Sequence, residues 1–407
     1  MKRSAKSKFK KFNKITSAFL SISLISLAMC NSFNVSAAGN LAFSVGCNYT
    51  DGNSTARDAI KSCDYYALCG FSSRYTTKPT LSTLRGSYGG TKFMESDIIM
   101  LSGHGNSGGI YFDSKDTGAE FWVTTNTAAT GCIILQNEYD MSKVKLVIFD
   151  GCETAKESSN CAQIVVNNGC KAAIGWTTSI GFDCMYEWKN KFNNYLATGN
   201  SISNALKIAN SFNYGDNSCK NWKLYGNGSQ VLKHSKSATQ SNSLNTDFNP
   251  VILNQAISSE NLTNKSTIAN LIKCAYPDFS FDDFKIDLAM QNDDSGTITV
   301  VEKIGNYYSD NAYVLFYDGG KITEVFDRVE NSIDRAAYSD DYFNLPQIDM
   351  EQVYAAAREN ISAEYTIENQ KAEARIDSAT GERYLLVGTT ISINGAKSVL
   401  SYKYVIQ

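Results

Sequence analysis

Histidine is nearly absent: the 407-residue chain holds only two, His104 and His234. No pair of cysteines stands as C-x-x-C, the spacing that structural zinc sites and redox pairs use, so no metal or cofactor is expected. Basic residues are also short once the N-terminus is set aside. Residues 1–14, "MKRSAKSKFKKFNK", carry seven of the 38, leaving 31 Lys/Arg against 41 Asp/Glu, a net charge of −10. That balance argues against nucleic acid or an anionic membrane as the main partner. No segment after the N-terminus is apolar enough to span a bilayer, so no integral membrane segment is expected in the mature chain.

The N-terminus itself reads as an export signal. A basic stretch is followed by the uncharged apolar run "ITSAFLSISLISLAMC" (15–30) and by small residues through Ala38. This is the layout of a signal peptide over 1–38, cut near Ala37 or Ala38. Cys30 does not make it a lipoprotein signal, because Met29 before it is larger than such signals accept. The mature protein is therefore expected outside the cell, secreted or held at the surface. Export permits disulfides among the ten remaining cysteines, and their spacing does not say which pairs form.

Residues 39–234 alternate strand-like and helix-like stretches. "LAFSV" (41–45), "SDIIML" (96–101), "KVKLVIFD" (143–150) and "CKAAIGW" (170–176) read as apolar strands. Helices are expected over 54–70, 155–169, 182–197 and 201–213. Uniformly apolar strands separated by helices indicate an α/β fold, a mostly parallel sheet covered on both faces. Residues 235–250, "SKSATQSNSLNTDFNP", have almost no apolar content and read as a linker. Beyond them, 251–407 reads as a separate α+β domain of antiparallel strands, with hairpin turns at Gly319-Gly320 and Asn394-Gly395. It has one cysteine, no histidine and no evident active-site cluster. A substrate-binding module, a folding aid and an inhibitor are all open for it.

Parallel sheets place ligands just past the carboxyl ends of their strands. His104 in "MLSGHGNSGG" (100–109) and Cys152 in "FDGCETA" (149–155) both stand there, each just past the end of an apolar run. A histidine at a neighbouring strand end can take the proton of a thiol and make it a nucleophile. The amides of Gly105 and Cys152 would supply an oxyanion hole, and Gly151 would let the chain turn so that the sulfur is presented. No third, acidic member of a triad is evident.

"DIIMLSGHGNSGGI" followed by "KVKLVIFDGCETA" resembles the caspase-like (clan CD) cysteine peptidases, with likeness to CHAT-domain and clostripain-like members over roughly residues 41–232. The resemblance implies a caspase-like sheet and cysteine endopeptidase activity on peptide or protein substrates. His104 would be the general acid/base and Cys152 the nucleophile. Asp150 matches the acidic position that lines the S1 pocket of clostripain-like enzymes and favours Arg or Lys at P1, and Asp183 would be a second acid there. The chain departs from clostripain-like enzymes after the cysteine, at Glu153-Thr154-Ala155, and from typical CHAT proteins in its export signal.

Plainer readings stand beside these. His104 fits a turn histidine, Cys152 an inert buried thiol, Asp150 a cap and Asp183 the N-cap of the following helix. His234 reads as a solvated linker residue. The alternative function is a catalytically silent caspase-like surface or binding protein acting through its C-terminal domain. Residues 112–131 read as a long exposed excursion, with Lys115 a site for self-cleavage.

Overall fold

The computed structural model describes residues 40–135, 140–156, 160–233, 250–329, 333, 335–359 and 361–406. The signal-peptide expectation, His234 and nearly all of the expected linker lie outside the described residues. No described helix is long and apolar enough to cross a membrane.

The apolar runs form the central strands of one sheet. β1 (Leu41–Val45), β2 (Ser72–Thr76), β3 (Ile98–Ser102), β7 (Leu146–Asp150), β8 (Ala172–Trp176) and β9 (Trp222–Gly226) form one sheet in the order β9-β8-β7-β3-β1-β2. All are parallel except β9, which runs antiparallel to β8. The period of two sorts the side chains into two cores. Ala42, Ile98, Met100, Leu146, Ile148 and Ile174 face helices α1 (Ala56–Leu68), α3 (Phe182–Ala197) and α4 (Ile202–Asn210). Phe43, Ile99, Leu101, Val147 and Phe149 face the other way, onto α2 (Cys161–Asn167) and a β-hairpin. Because both faces are covered, the central strands are buried without a polar side, which is why they read as unbroken apolar runs.

That hairpin corrects one expectation. Residues 112–131 are not an exposed excursion. β5 (Gly109–Ser114) and β6 (Ala119–Thr124) pair antiparallel, and Ile110, Phe112, Phe121 and Val123 are core residues. Exposure is confined to the turn at Lys115–Gly118, to Glu120 and to parts of the segment after β6. Helix α2 is also shorter than the 155–169 expected: it starts at Cys161, where the Asn160 side chain accepts from the Gln163 amide.

The C-terminal part is built from β10 (Val251–Ala256), β11 (Asp283–Asn292), β12 (Ser295–Ile304), β13 (Tyr307–Asp318), β14 (Lys321–Arg328), β15 (Thr366–Ile376), β16 (Arg383–Ile393) and β17 (Ala396–Val405), with helices α5 (Lys265–Ala275) and α6 (Met350–Arg358). Successive strands from β11 to β14 pair antiparallel, and so do β15, β16 and β17. Gly319-Gly320 and Asn394-Gly395 turn the hairpins, all four residues with positive φ, as the sharp two-residue turns require. This sheet does not stop at the C-terminal part. β17 pairs at Lys397 with Gly105 in β4 (His104–Asn106), and β4 pairs with β5. Residues 40–407 accordingly form one compact unit.

Candidate active site

β3 and β7 are neighbours in parallel register, Ser102 opposite Asp150. The chain leaves both at the same end of the sheet, so the segments Gly103–Asn106 and Gly151–Glu153 emerge side by side. They pack backbone to backbone. The Gly103 amide donates to the Asp150 carbonyl at 3.0 Å. A Cβ on Gly105 would lie 2.7 Å from the Cys152 carbonyl oxygen and 2.9 Å from its amide nitrogen, closer than real Cβ contacts come. Only glycine lets the residue after His104 approach the residue expected as nucleophile this closely. Gly105→Ala should therefore push the Cys152 backbone out of place and cost roughly 1–3 kcal/mol of stability, read as a lower urea midpoint together with slower labelling of Cys152.

The Cys152 turn is held from the other side as well. Glu153 has φ of 58°, in the left-handed region, and its amide donates to the Thr178 carbonyl at 3.0 Å. A non-glycine residue held there marks a turn that the surroundings enforce. The Cys152 sulfur accepts from the Ile180 amide at 3.3 Å and lies 3.6 Å from the Ile180 carbonyl oxygen. The thiol is 2% exposed, and burial, opposed by the Ile180 hydrogen bond, pushes it up to about 12.

His104 is also buried, 1% exposed. Its ring lies against Tyr49 (centroids 4.3 Å apart) and is approached by Phe182 and Tyr365, each at 5.9 Å. Phe182 also lines the small cavity beside Cys152, so one ring borders both residues. Nε2 of His104 stands 3.3 Å from Oδ2 of Asp51, within ion-pair range although not aligned as a hydrogen bond. Asp51 is a buried acid that sequence reasoning did not find. It lies in the loop after β1, where its other oxygen accepts from the Asn53 amide at 2.8 Å. The signal was only an Asp-Gly turn at the end of the neighbouring strand, one turn among many.

The two expected S1 acids have other partners. Asp150 points into the interior, where it accepts from the Ser102 hydroxyl at 2.6 Å and pairs with the buried ammonium of Lys189. Lys189 also pairs with Asp58. Burial works against the Lys189 charge, but Asp150 and Asp58 outweigh it and its pKa rises. Burial pushes Asp58 up to about 6, countered by Lys189 and reinforced by Asp150. Asp183 sits in the first turn of α3, 65% exposed, with Arg57 at 2.5 Å; Gly181, two residues earlier, holds the N-cap position. None of the ten cysteines from Cys47 to Cys274 is disulfide-bonded, and no cluster of metal-ligating side chains is present among the described residues.

The C-terminal part reaches this region. Lys397 of β17 is paired with Gly105, and Val399 forms a parallel bridge to Gly181. Ser398 between them lines the cavity beside Cys152 together with Ile180, Gly181, Phe182 and Met185. That cavity is about 10 Å³, at or below the space one water needs.

No family model and no curated protein matches the chain. Among solved structures, the Bacillus megaterium YpeB C-terminal domain is similar over 38% of this chain at 14% identity, with a TM-score of 0.22. The chain covers 63% of that domain's length. The complex of Porphyromonas gingivalis RgpB pro- and mature domains is similar over 90% of this chain and 68% of its own, at 10% identity and a TM-score of 0.31. Similarities this low establish neither the fold nor the function of this chain, and both are argued from its own residues.

Proposed function

We propose that the chain is an exported cysteine endopeptidase that cleaves peptides or proteins after Arg or Lys. The observation that carries this reading is the seating of Gly105, next to His104, against the backbone of Cys152 at the ends of two adjacent parallel strands. In the reaction, the Cys152 sulfur gives its proton to His104 and bonds to the substrate carbonyl carbon. The amides of Gly105 and Cys152 face the charge that develops on the carbonyl oxygen. The C–N bond breaks as His104 passes the proton to the leaving amine. Water, deprotonated by His104, then hydrolyses the thioester and restores the thiol. Asp51 is the positioning residue: its carboxylate, 3.3 Å from Nε2, would hold the ring through its charge and leave Nδ1 to exchange the proton with sulfur. Asp150 is engaged by Lys189, so an S1 role for it would require that lysine to yield.

The closed cleft favours a second reading, a catalytically silent scaffold, since Cys152 has almost no exposure. A thiol-reactive peptide with Lys at the position next to the warhead separates the two. The site of labelling is read by peptide mass, in the parent and in His104→Ala. Labelling of Cys152 that falls at least tenfold in His104→Ala is the result expected of a Cys–His unit. Labelling of Cys152 at an equal rate in both overturns the peptidase reading.

A further inference from the structure

We infer that β17 lies in the groove meant for an extended peptide substrate, with Lys397 standing in for the substrate's basic side chain, so that the chain as folded is the closed form of its own enzyme. The inference rests on the peptidase reading for what the groove is, and on the strand pairing for what fills it.

β17 is held on one edge by β16, with Ser392 opposite Lys397 and Thr390 opposite Val399. Its other edge meets no further strand of the C-terminal part. It meets Gly105 at Lys397 and Gly181 at Val399, the two rims between which Cys152 sits. A peptide added to an exposed backbone edge by main-chain pairing is a common way for an extended ligand to bind, and β17 makes that pairing from within the chain. Its Ser398 is buried over the cavity at Cys152, and its Ala396 is buried beside it. The hairpin tip is fastened on the far side of Gly105: Asn106 donates to the Gly395 carbonyl at 3.0 Å, and Asn394 donates to Tyr111 Oη at 3.0 Å and to Glu120 at 2.6 Å. Tyr365, which precedes β15, covers His104 and lies within hydrogen-bond range of Asp113, at 3.3 Å. The C-terminal part thus covers both members of the catalytic pair.

The charge at this point is specific. The Lys397 ammonium lies 3.1 Å from Glu368, its own sheet's acid, and 4.0 Å from Glu153, the residue after Cys152. Glu153 is therefore the acid of the N-terminal part that a basic side chain meets on reaching this position, and it takes the S1 role that the resemblance implies for Asp150. Lys156, 3.2 Å from Glu153, balances that acid when no other cation is near. Burial is the first cause of the raised thiol pKa, and Ser398 of β17 is among the residues that line the cavity at the thiol. Opening the strand would return the sulfur to solvent.

Lys397→Glu in the full chain is the test. The side chain is 31% exposed, so the substitution sets like charges against Glu153 and Glu368 without disturbing a core. The one attractive pair across the closure, to Glu153, becomes repulsive, and the open fraction should rise roughly fivefold. Two rates are read: alkylation of Cys152 by iodoacetamide, located by peptide mass, and hydrolysis of peptides with Lys or Arg at P1. Both should rise together, and Glu153→Gln in that background should lower hydrolysis of basic peptides relative to neutral ones. Equal Cys152 alkylation in parent and variant overturns the closure, whatever the hydrolysis. Faster alkylation with no hydrolysis leaves the closure standing and overturns the peptidase reading instead. If Lys397→Glu does not fold, Lys397→Gln removes the attraction without adding repulsion. Several-fold faster alkylation then supports the closure, and an unchanged rate overturns it.

Discussion

His104→Ala should lower kcat/KM on a basic peptide by about a thousandfold or more, with the fold intact. General acid–base catalysis contributes roughly a hundred- to ten-thousandfold on its own. On the proposed mechanism the same residue must also generate the nucleophile, because burial beside Ile180 raises the thiol pKa and favours the protonated form. Members of one catalytic unit are not additive, so His104→Ala and Cys152→Ala combined should be scarcely worse than either alone. Asp51→Asn should do less, about ten- to a hundredfold in kcat. It should leave KM nearly unchanged, because Asp51 touches His104 and not the groove. A merely structural Asp51 would instead lower stability and leave kcat of the folded fraction intact. Steady-state kinetics on variants matched for unfolding midpoint separates these outcomes.

Lys189→Met should be the most destabilising single change in the sheet's core, by roughly 3–5 kcal/mol at neutral pH. Lys189 is completely buried, and its ammonium is shared by Asp58 and Asp150, both buried. Removing it leaves two carboxylates facing each other with only the Ser102 hydroxyl on Asp150. The loss should depend on pH with a definite sign. Burial raises Asp58 to about 6, above its unfolded value, so the native state prefers the protonated acid. The stability from that preference is fully present below about pH 4 and is lost as pH rises through about 6. Without Lys189 the ionised pair is still less tolerable. The deficit of Lys189→Met should therefore be smaller near pH 5 than at pH 8, and Asp58→Asn added to it should recover part of the loss. Urea unfolding of the three chains at the two pH values measures this. A deficit that is equal at both would mean that the cluster's charge is not what Lys189 supports.

How much of this could be read from sequence differs from residue to residue. The parallel sheet was legible because full burial on both faces leaves an unmistakable apolar run at "IIMLS", "LVIFD" and "AAIGW". His104, Gly105 and Cys152 were legible as strand-end residues, and the structure places the His104 and Cys152 segments on adjacent strands in contact through Gly105. Lys189 leaves a signal of its own. In α3 the buried stripe runs through Met185, Trp188, Phe192 and Leu196, and Lys189 falls on it at a position where a helix faces its core. A lysine there demands a buried acid, and Asp150 provides one; taken alone, Asp150 beside the cysteine reads as a pocket acid. Asp51 and the closing strand left no usable local pattern. Asp51 reaches His104 across the loop after β1, and β17 reaches Gly105 from nearly three hundred residues away. Pairing of that kind is set by tertiary packing and not by the alternation within the strand.

The central claim is that Cys152 is a nucleophile held closed by the chain's own last strand. Hydrolysis of a Lys- or Arg-containing peptide by the full Lys397→Glu chain, with and without Cys152→Ala, tests it most directly. The account predicts turnover in the first and none in the second, at matched unfolding midpoints. Equal turnover in both chains, or none in either while iodoacetamide reaches Cys152, would contradict it.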